Sequence, residues 1–149
     1  MQVHVFWIGK TRLPGVSDLT EEYSKRLSRF CEFRAEEFRP GKKSKGNDTL
    51  EEQLLTRTET SFRVVLDPSG QRWSSQAFAA FIDKLKNRSQ RSVAFCVGGA
   101  DGFSSAFRQS AGQLLSLSSM TFPHELARVV LLEQIYRAFA ILAHHPYPR

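Results

Sequence analysis

The chain has 149 residues, a length that fits one domain spanning residues 1–149. Its formal net charge is +6, with 21 Lys and Arg against 15 Asp and Glu, which favours a polyanionic partner such as RNA. The first residues lack the pattern of a secretory signal, and no uncharged apolar run reaches the roughly 18 residues of a membrane span. We therefore expect a soluble, cytoplasmic protein without a membrane partner. Cys31 and Cys96 lack ligand-like spacing, so we expect them to pack as small hydrophobes and expect no metal site.

The N-terminal residues predict a strand followed by a helix. Residues 3–8 form a largely apolar run typical of a first strand. A basic loop over residues 10–15 comes next. Ser17 or Asp18 can then cap a helix that runs to about Phe30.

A strand, a basic segment and a helix are predicted next. Apolar and polar residues alternate from Cys31 to Phe38, which favours a second strand near an edge of the sheet. The segment Arg39–Asn47 is basic, contains two glycines and has no acidic residue. It is either a solvated loop or a contact for RNA phosphates. Its candidate RNA-binding residues are Lys42, Lys43 and Lys45. Asn47 or Asp48 is expected to cap a helix to about Thr60.

The middle of the chain alternates strands and helices. Residues 63–67 predict a short β-branched strand, and Pro68–Gly70 predicts a turn. Ser74 is expected to cap a helix whose apolar residues face inward, before a strand over residues 93–97. This repeated order of strand, loop and helix predicts an α/β fold with a parallel sheet and helices on both faces.

The last third begins with a glycine turn and ends in a long helix. Gly98 and its neighbours form a turn, Ser104 can cap a short helix, and residues 114–118 predict a strand. From His124 to about Ala143 the sequence predicts a helix buried on more than one side. Within that helix Glu133 and Arg137 are four residues apart and can pair.

Several common catalytic signatures are missing from the sequence. It has no P-loop spacing, no G-x-G-x-x-G opening a helix, no Ser-His-Asp signature and no paired His or Cys metal spacing. These absences argue against hydrolysis of nucleoside triphosphates, nicotinamide chemistry and zinc chemistry.

The last third of the chain carries a set of motifs: Gly98-Gly99-x-Asp101-Gly102, Ser116-Leu117-Ser118-x-x-Thr121-Phe122-Pro123-His124, Arg128-Val129, Glu133-Gln134, Tyr136-Arg137-Ala138 and Pro146-Tyr147. Together they resemble one family, the ribosomal RNA large-subunit methyltransferases H of the SPOUT superfamily. The likeness covers essentially the whole chain and is densest after Phe95.

The resemblance implies a fold and an activity. The fold would be the SPOUT fold with a C-terminal trefoil knot, in a homodimer whose sites are assembled from both subunits. The activity would be methylation of N3 of a pseudouridine in 23S ribosomal RNA, with S-adenosylmethionine as cofactor and the ribosome as partner. The alternative is a non-catalytic, basic RNA-binding module of the same fold that associates with the ribosome.

The resemblance also implies site residues. Those expected to bind the cofactor are Leu66, Gly98, Leu117, Ser118, Ser119, Met120, Thr121 and Phe122. Those expected at the reaction are His124, Arg128 and Tyr147. Arg137 and Arg149 join the three lysines as candidate RNA contacts. The family's tail usually carries a histidine where this chain has Pro148, so any role of that histidine is in doubt here.

Overall fold

A computed structural model describes residues 1–39 and 49–147 of the chain. The strands are β1 (Gln2–Ile8), β2 (Glu32–Phe38), β3 (Phe62–Arg72), β4 (Ser92–Val97) and β5 (Gln113–Ser116). The helices are α1 (Pro14–Leu27), α2 (Leu50–Arg57), α3 (Ser75–Asn87), α4 (Ser105–Gln109) and α5 (His124–Leu142). None of the helices in these two ranges is long and apolar enough to cross a membrane.

The strands form one parallel sheet in the order β2-β1-β4-β3-β5. β4 is the central strand of the sheet. All six of its residues are buried, as expected for a strand covered on both faces. β2 lies at one edge, which confirms the prediction made from its alternating sequence.

Helices cover both faces of the sheet, because alternate strand residues point to opposite sides. On one face Val5 of β1 belongs to a core cluster with residues of α1, α3 and α5, including Leu131. On the other face Phe6 belongs to a second cluster with Leu54 of α2 and Phe107 of α4. The predicted arrangement of a parallel sheet between two helical layers is thereby confirmed.

The starts of three helices follow their local capping signals. Ser74 accepts a hydrogen bond from Ala77 N, and Ser104 accepts one from Phe107 N, as predicted. The cap of α2 is instead Thr49, which forms a reciprocal capping box with Glu52. Because Thr49 is the cap, the prediction of Asn47 or Asp48 in that role is wrong. Both of these residues lie outside the described ones.

Helix α1 begins earlier than predicted, at Pro14 rather than after Ser17 or Asp18. Proline suits a first helical position because its missing N–H would be unpaired there. The residue before it, Leu13, makes no capping hydrogen bond with its side chain. The carboxylate of Glu125 accepts hydrogen bonds from Arg12 N (2.8 Å) and Leu13 N (3.1 Å). A residue on α5 therefore fixes the backbone that leads into this helix.

The segment predicted as a turn after residue 67 is an irregular part of β3. Leu66 and Gln71 both register with Leu115 of β5, so residues 67–70 bulge out of the ladder. Gly70 lies within this bulge, directly against β5. A Cβ at Gly70 would be 2.6 Å from both Leu114 C and Leu115 N, so only glycine allows this approach.

We predict that Gly70→Ala lowers the free energy of unfolding by about 3 kcal/mol, because the added methyl group meets backbone that cannot turn aside. Gly15→Ala is the matched control, since a Cβ at Gly15 meets nothing within 4 Å. The control should keep or slightly raise stability. Urea unfolding of the three proteins provides the measurement, and equal midpoints for Gly70→Ala and wild type would contradict the close approach.

Candidate active site at the carboxyl ends of the strands

A cleft of about 810 Å³ opens where β3, β4 and β5 end. The lining consists of residues 66–68, Arg72, residues 97–103, Arg108, residues 115–124 and Ala127. Every residue expected to bind the cofactor is in this lining, and so is His124. The residues gather there because the carboxyl ends of parallel strands meet at one edge of a sheet.

The glycine turn after β4 forms one wall of the cleft. Gly102 has φ +69°, a left-handed conformation that favours glycine, and its N–H donates to Gly99 O at 3.0 Å. A Cβ at Gly98 would lie 3.1 Å from Gly102 Cα, so the turn closes tightly over Gly98. The wall is therefore mainly backbone, with N–H and C=O groups near the cleft.

The segment after β5 forms the opposite wall and is held by its own serines. The Ser116 hydroxyl donates to Ser118 O at 3.1 Å, and Met120 N donates to the Ser118 hydroxyl at 2.9 Å. The Met120 side chain is 77% exposed, and Phe122 is half-buried. This wall thus presents apolar surface that a ligand could cover.

Two arginines in the lining were missed by sequence reasoning. Arg108 of α4 has its Nη1 3.6 Å from Asp67 Oδ1. Arg72, at the end of β3, donates to the Ser119 hydroxyl. Among the described lining residues, Arg108 thus pairs with a carboxylate, whereas the hydrogen-bond partner of Arg72 is a neutral hydroxyl. A signal was available for it, because Arg72 follows a predicted strand end within six residues of Leu66.

Asp67 is the carboxylate that pairs with Arg108. Burial raises its pKa, but hydrogen bonds from the hydroxyl and N–H of Ser69, with the charge of Arg108, outweigh that effect. The pKa of Asp67 is therefore below its usual range, and the carboxylate compensates Arg108.

Arg128, on the first turns of α5, is fully buried beside the cleft. Its side chain has 0% exposure. It donates to Ile8 O at 3.2 Å, to Gly9 O at 3.0 Å and to the Thr11 hydroxyl at 2.9 Å. Its guanidinium also lies 5.2 Å from the centre of the Trp7 ring. The expectation that Arg128 acts at the reaction stays a prediction. In this chain its buried guanidinium holds residues 8–11.

Glu37 of β2 completes the anchor of this loop. Its Oε1 accepts hydrogen bonds at 2.8 Å from both the N–H and the hydroxyl of Thr11, and one from Trp7 Nε1 at 3.2 Å. Burial raises its pKa, but hydrogen bonds from Arg39, Thr11 and Trp7 outweigh burial and hold the pKa at about 2. The carboxylate therefore stays charged and counteracts the burial that lowers the pKa of Arg128.

The C-terminal tail packs outside its own cleft. The Tyr147 hydroxyl donates to Glu133 Oε1 at 3.2 Å, and its ring meets Tyr136 edge-on with centres 4.6 Å apart. The predicted pairing of Arg137 with Glu133 is confirmed. The Arg137 guanidinium also lies 5.6 Å from the centre of the Tyr147 ring. Lys42, Lys43, Lys45 and Arg149 lie outside the described residues, so their RNA contacts stay predictions.

Two comparisons define the class of protein. A family profile described as "Predicted SPOUT methyltransferase" matches residues 1–148. A probable methyltransferase from Bordetella pertussis has a TM-score of 0.55 at 10% identity, covering 92% of this chain and 95% of that one. A putative methyltransferase from Legionella pneumophila, solved in complex with SAM, has a TM-score of 0.53 at 13% identity, covering 93% of this chain and 66% of that one. The chain has the fold of a methyltransferase and matches the SPOUT class.

Curated relatives define the family within that class. The ribosomal RNA large subunit methyltransferase H of Solibacter usitatus is 40% identical over 149 residues, covering 100% of each chain. Its counterpart in Geobacter sulfurreducens is 37% identical over 152 residues, covering 99% of each chain. The chain belongs to the ribosomal RNA large subunit methyltransferase H family.

We predict that Arg128→Ala lowers the free energy of unfolding by about 3 kcal/mol. The substitution removes the buried cation that binds the carbonyls of Ile8 and Gly9 and interacts with the charges of Glu37 and Glu125. Arg88→Ala removes an exposed arginine and should change stability by less than about 0.5 kcal/mol. Chemical denaturation compares the two variants with wild type. Equal effects of the two substitutions would contradict the anchoring role of Arg128.

The depressed pKa of Glu37 predicts a pH-dependent contribution to stability. The unfolded carboxyl protonates near its ordinary pKa of 4.5, whereas the folded one holds its charge to about pH 2. Its stabilising effect is thus complete above about pH 5 and is lost as the pH falls towards 2.

The variant Glu37→Gln should accordingly be less stable than wild type at pH 7, with the difference shrinking between pH 5 and pH 2. Thermal or urea unfolding across this range measures it. Glu59→Gln, which changes an exposed glutamate, should follow wild type throughout. A Glu37→Gln deficit that does not change with pH would contradict the charged interaction.

Proposed function

We propose that this protein methylates N3 of a pseudouridine in 23S ribosomal RNA, with S-adenosylmethionine as the methyl donor, in the cytoplasm. The observation that carries the proposal is the cleft that gathers Leu66, Gly98 and residues 117–122 at one edge of the sheet. Full-length relatives named as ribosomal RNA large subunit methyltransferases support the substrate. The SAM-bound methyltransferase from Legionella pneumophila supports the cofactor.

The residues of the cleft fit a nucleoside cofactor. Its volume of about 810 Å³ falls within the range of small-molecule sites. The turn after Gly98 offers backbone donors and acceptors for an adenine and a ribose, while Leu66, Leu117 and Phe122 offer apolar walls. When bound, S-adenosylmethionine would supply an electrophilic methyl group on its sulfonium.

The acceptor N3 is a weakly acidic imide nitrogen that must lose its proton before or during transfer. His124, in the cleft lining, orients the base and accepts that proton or passes it to solvent. Arg72 keeps an uncompensated charge, because its partner Ser119 is neutral, and stabilises the resulting anion. Arg128 acts through residues 8–11 as a positioning residue.

We also propose that the chain forms a trefoil knot around the contact between β3 and β5. The bulge at residues 67–70 folds back over Leu115, and Gly70 meets the backbone of β5 with no room for a Cβ. Such a close backbone contact is expected where a chain passes through a tight loop. The knot remains our proposal for the part of the fold that builds the cleft.

A homodimer would bring the tail to a cleft. Leu13, Leu19 and Leu126 are 50%, 44% and 43% exposed and offer apolar surface to a second copy. Tyr147 lies outside the lining of its own cleft, so we propose that it serves the cleft of the other subunit, with Arg137 beside it. There Tyr147 would stack on a flipped base, and Arg137 would meet a phosphate.

Methyl transfer to ribosomes from cells that lack this enzyme tests the function. We expect incorporation of labelled methyl groups, located at N3 of one pseudouridine by mass spectrometry of digested 23S RNA. Calorimetry with S-adenosylhomocysteine tests the cofactor site separately. Ribosome binding without cofactor binding or methyl transfer would instead favour the non-catalytic RNA-binding alternative.

The variant Gly98→Val tests the cofactor site by sterics. Its side chain would push against Gly102 and Phe103 and displace the turn that forms one wall. We expect calorimetry to detect no binding of S-adenosylhomocysteine, with circular dichroism and the unfolding transition retained. Gly15→Val adds the same atoms in open space and should bind normally. Normal binding by folded Gly98→Val would contradict the placement of the cofactor.

A further inference from the structure

The loop between β1 and α1, residues 9–13, carries two exposed cations, Lys10 and Arg12. Among the described residues neither has an ion pair, whereas six other arginines do. Their charges are therefore available to a partner. A phosphate group would be attracted to this pair without displacing a carboxylate of the protein.

Buried and half-buried side chains hold the backbone of this loop at residues 9, 11, 12 and 13. Arg128 binds Gly9 O, Glu37 binds Thr11 N, and Glu125 binds the N–H groups of Arg12 and Leu13. Gly9 itself has φ +105°, which favours glycine. The two cationic side chains thus project from a fixed backbone, which lowers the entropy lost when a ligand binds.

The loop also lies at the edge of the sheet where the cleft opens. A Cβ at Gly99, in the glycine turn, would be 3.5 Å from Ile8 O at the end of β1. The end of β1, where the loop begins, therefore lies against the cleft wall. Other exposed cations without an ion pair among the described residues, such as Lys84 and Arg88, lie at the end of α3, next to the start of β4 and so at the opposite edge.

We propose that Lys10 and Arg12 bind a backbone phosphate of the substrate RNA beside the target base. This inference rests on the proposed function, since it names the part of the protein that grips the substrate strand. The net charge of +6 and the position of the loop beside the cleft support a polyanion rather than a protein partner. Phosphate contacts of this kind fix the register of a nucleic acid without reading its sequence.

The double variant Lys10→Ala/Arg12→Ala tests the inference, with Lys84→Ala/Arg88→Ala as a control of equal charge change. Substrate is large ribosomal subunits from cells lacking the enzyme, and binding and methyl transfer are measured at several salt concentrations. For the loop variant we expect affinity for subunits and kcat/KM to fall at least tenfold at low salt. The slope of log affinity against log salt should drop by about one per cation removed. The control should resemble wild type, and Lys10→Arg/Arg12→Lys should restore binding.

The outcomes separate the inference from its alternatives. Loss of S-adenosylhomocysteine binding in the loop variant would overturn it and assign the loop to the cofactor carboxylate. Loss of the dimer, seen by light scattering, would overturn it in favour of a subunit contact. Equal losses in both double variants would overturn it in favour of general electrostatic attraction. Because subunit binding is measured apart from methyl transfer, failure of the proposed reaction would leave the test of the loop intact.

Discussion

The site depends on the hydrogen bonds and charge interactions of the buried guanidinium of Arg128. Removing a cation from water is unfavourable unless hydrogen bonds and opposite charges replace the water. Here carbonyls at the end of β1, the hydroxyl of Thr11, and the nearby charges of Glu37 and Glu125 take that place. The first turns of α5, the end of β1 and the edge strand β2 are thereby tied together. Since α5 also begins with His124 in the cleft lining, stability and site geometry depend on the same contacts.

Close approach of backbones shapes the rest of the cleft. Gly70 allows the β3 bulge to lie on β5, and Gly98 allows the turn after β4 to close on Gly102. A side chain at Gly70 would overlap the backbone of β5, and one at Gly98 would crowd the turn. The turn after β4 is therefore mainly a backbone surface, and the segment after β5 adds apolar side chains opposite it. This combination suits recognition of a cofactor through N–H and C=O groups and apolar contacts.

Charge is distributed unevenly over the described part of the molecule. Many surface arginines are compensated by acidic neighbours, such as Arg57 by Glu36 and Arg26 by Glu22. Such exposed pairs contribute little stability. Their consequence is that the net positive charge is concentrated on the cations without partners. At the edge with the cleft, these are Arg72 in the lining and the two cations of the β1–α1 loop.

The sequence by itself determined the elements whose signals are local. Ser74 and Ser104 predicted the starts of their helices, and the apolar pattern after Pro123 predicted α5. Both signals are readable because capping and periodicity involve residues only a few positions apart. It also predicted which segments line the cleft, because parallel strands end at one edge and the motifs resembled a known family. Only the tertiary structure decided the start of α1, the bulge in β3 and the burial of Arg128. The backbone that leads into α1 is held by Glu125, 112 residues beyond Leu13, and the bulge exists only against β5. These features arise from contacts between segments far apart in the chain, which no local pattern records.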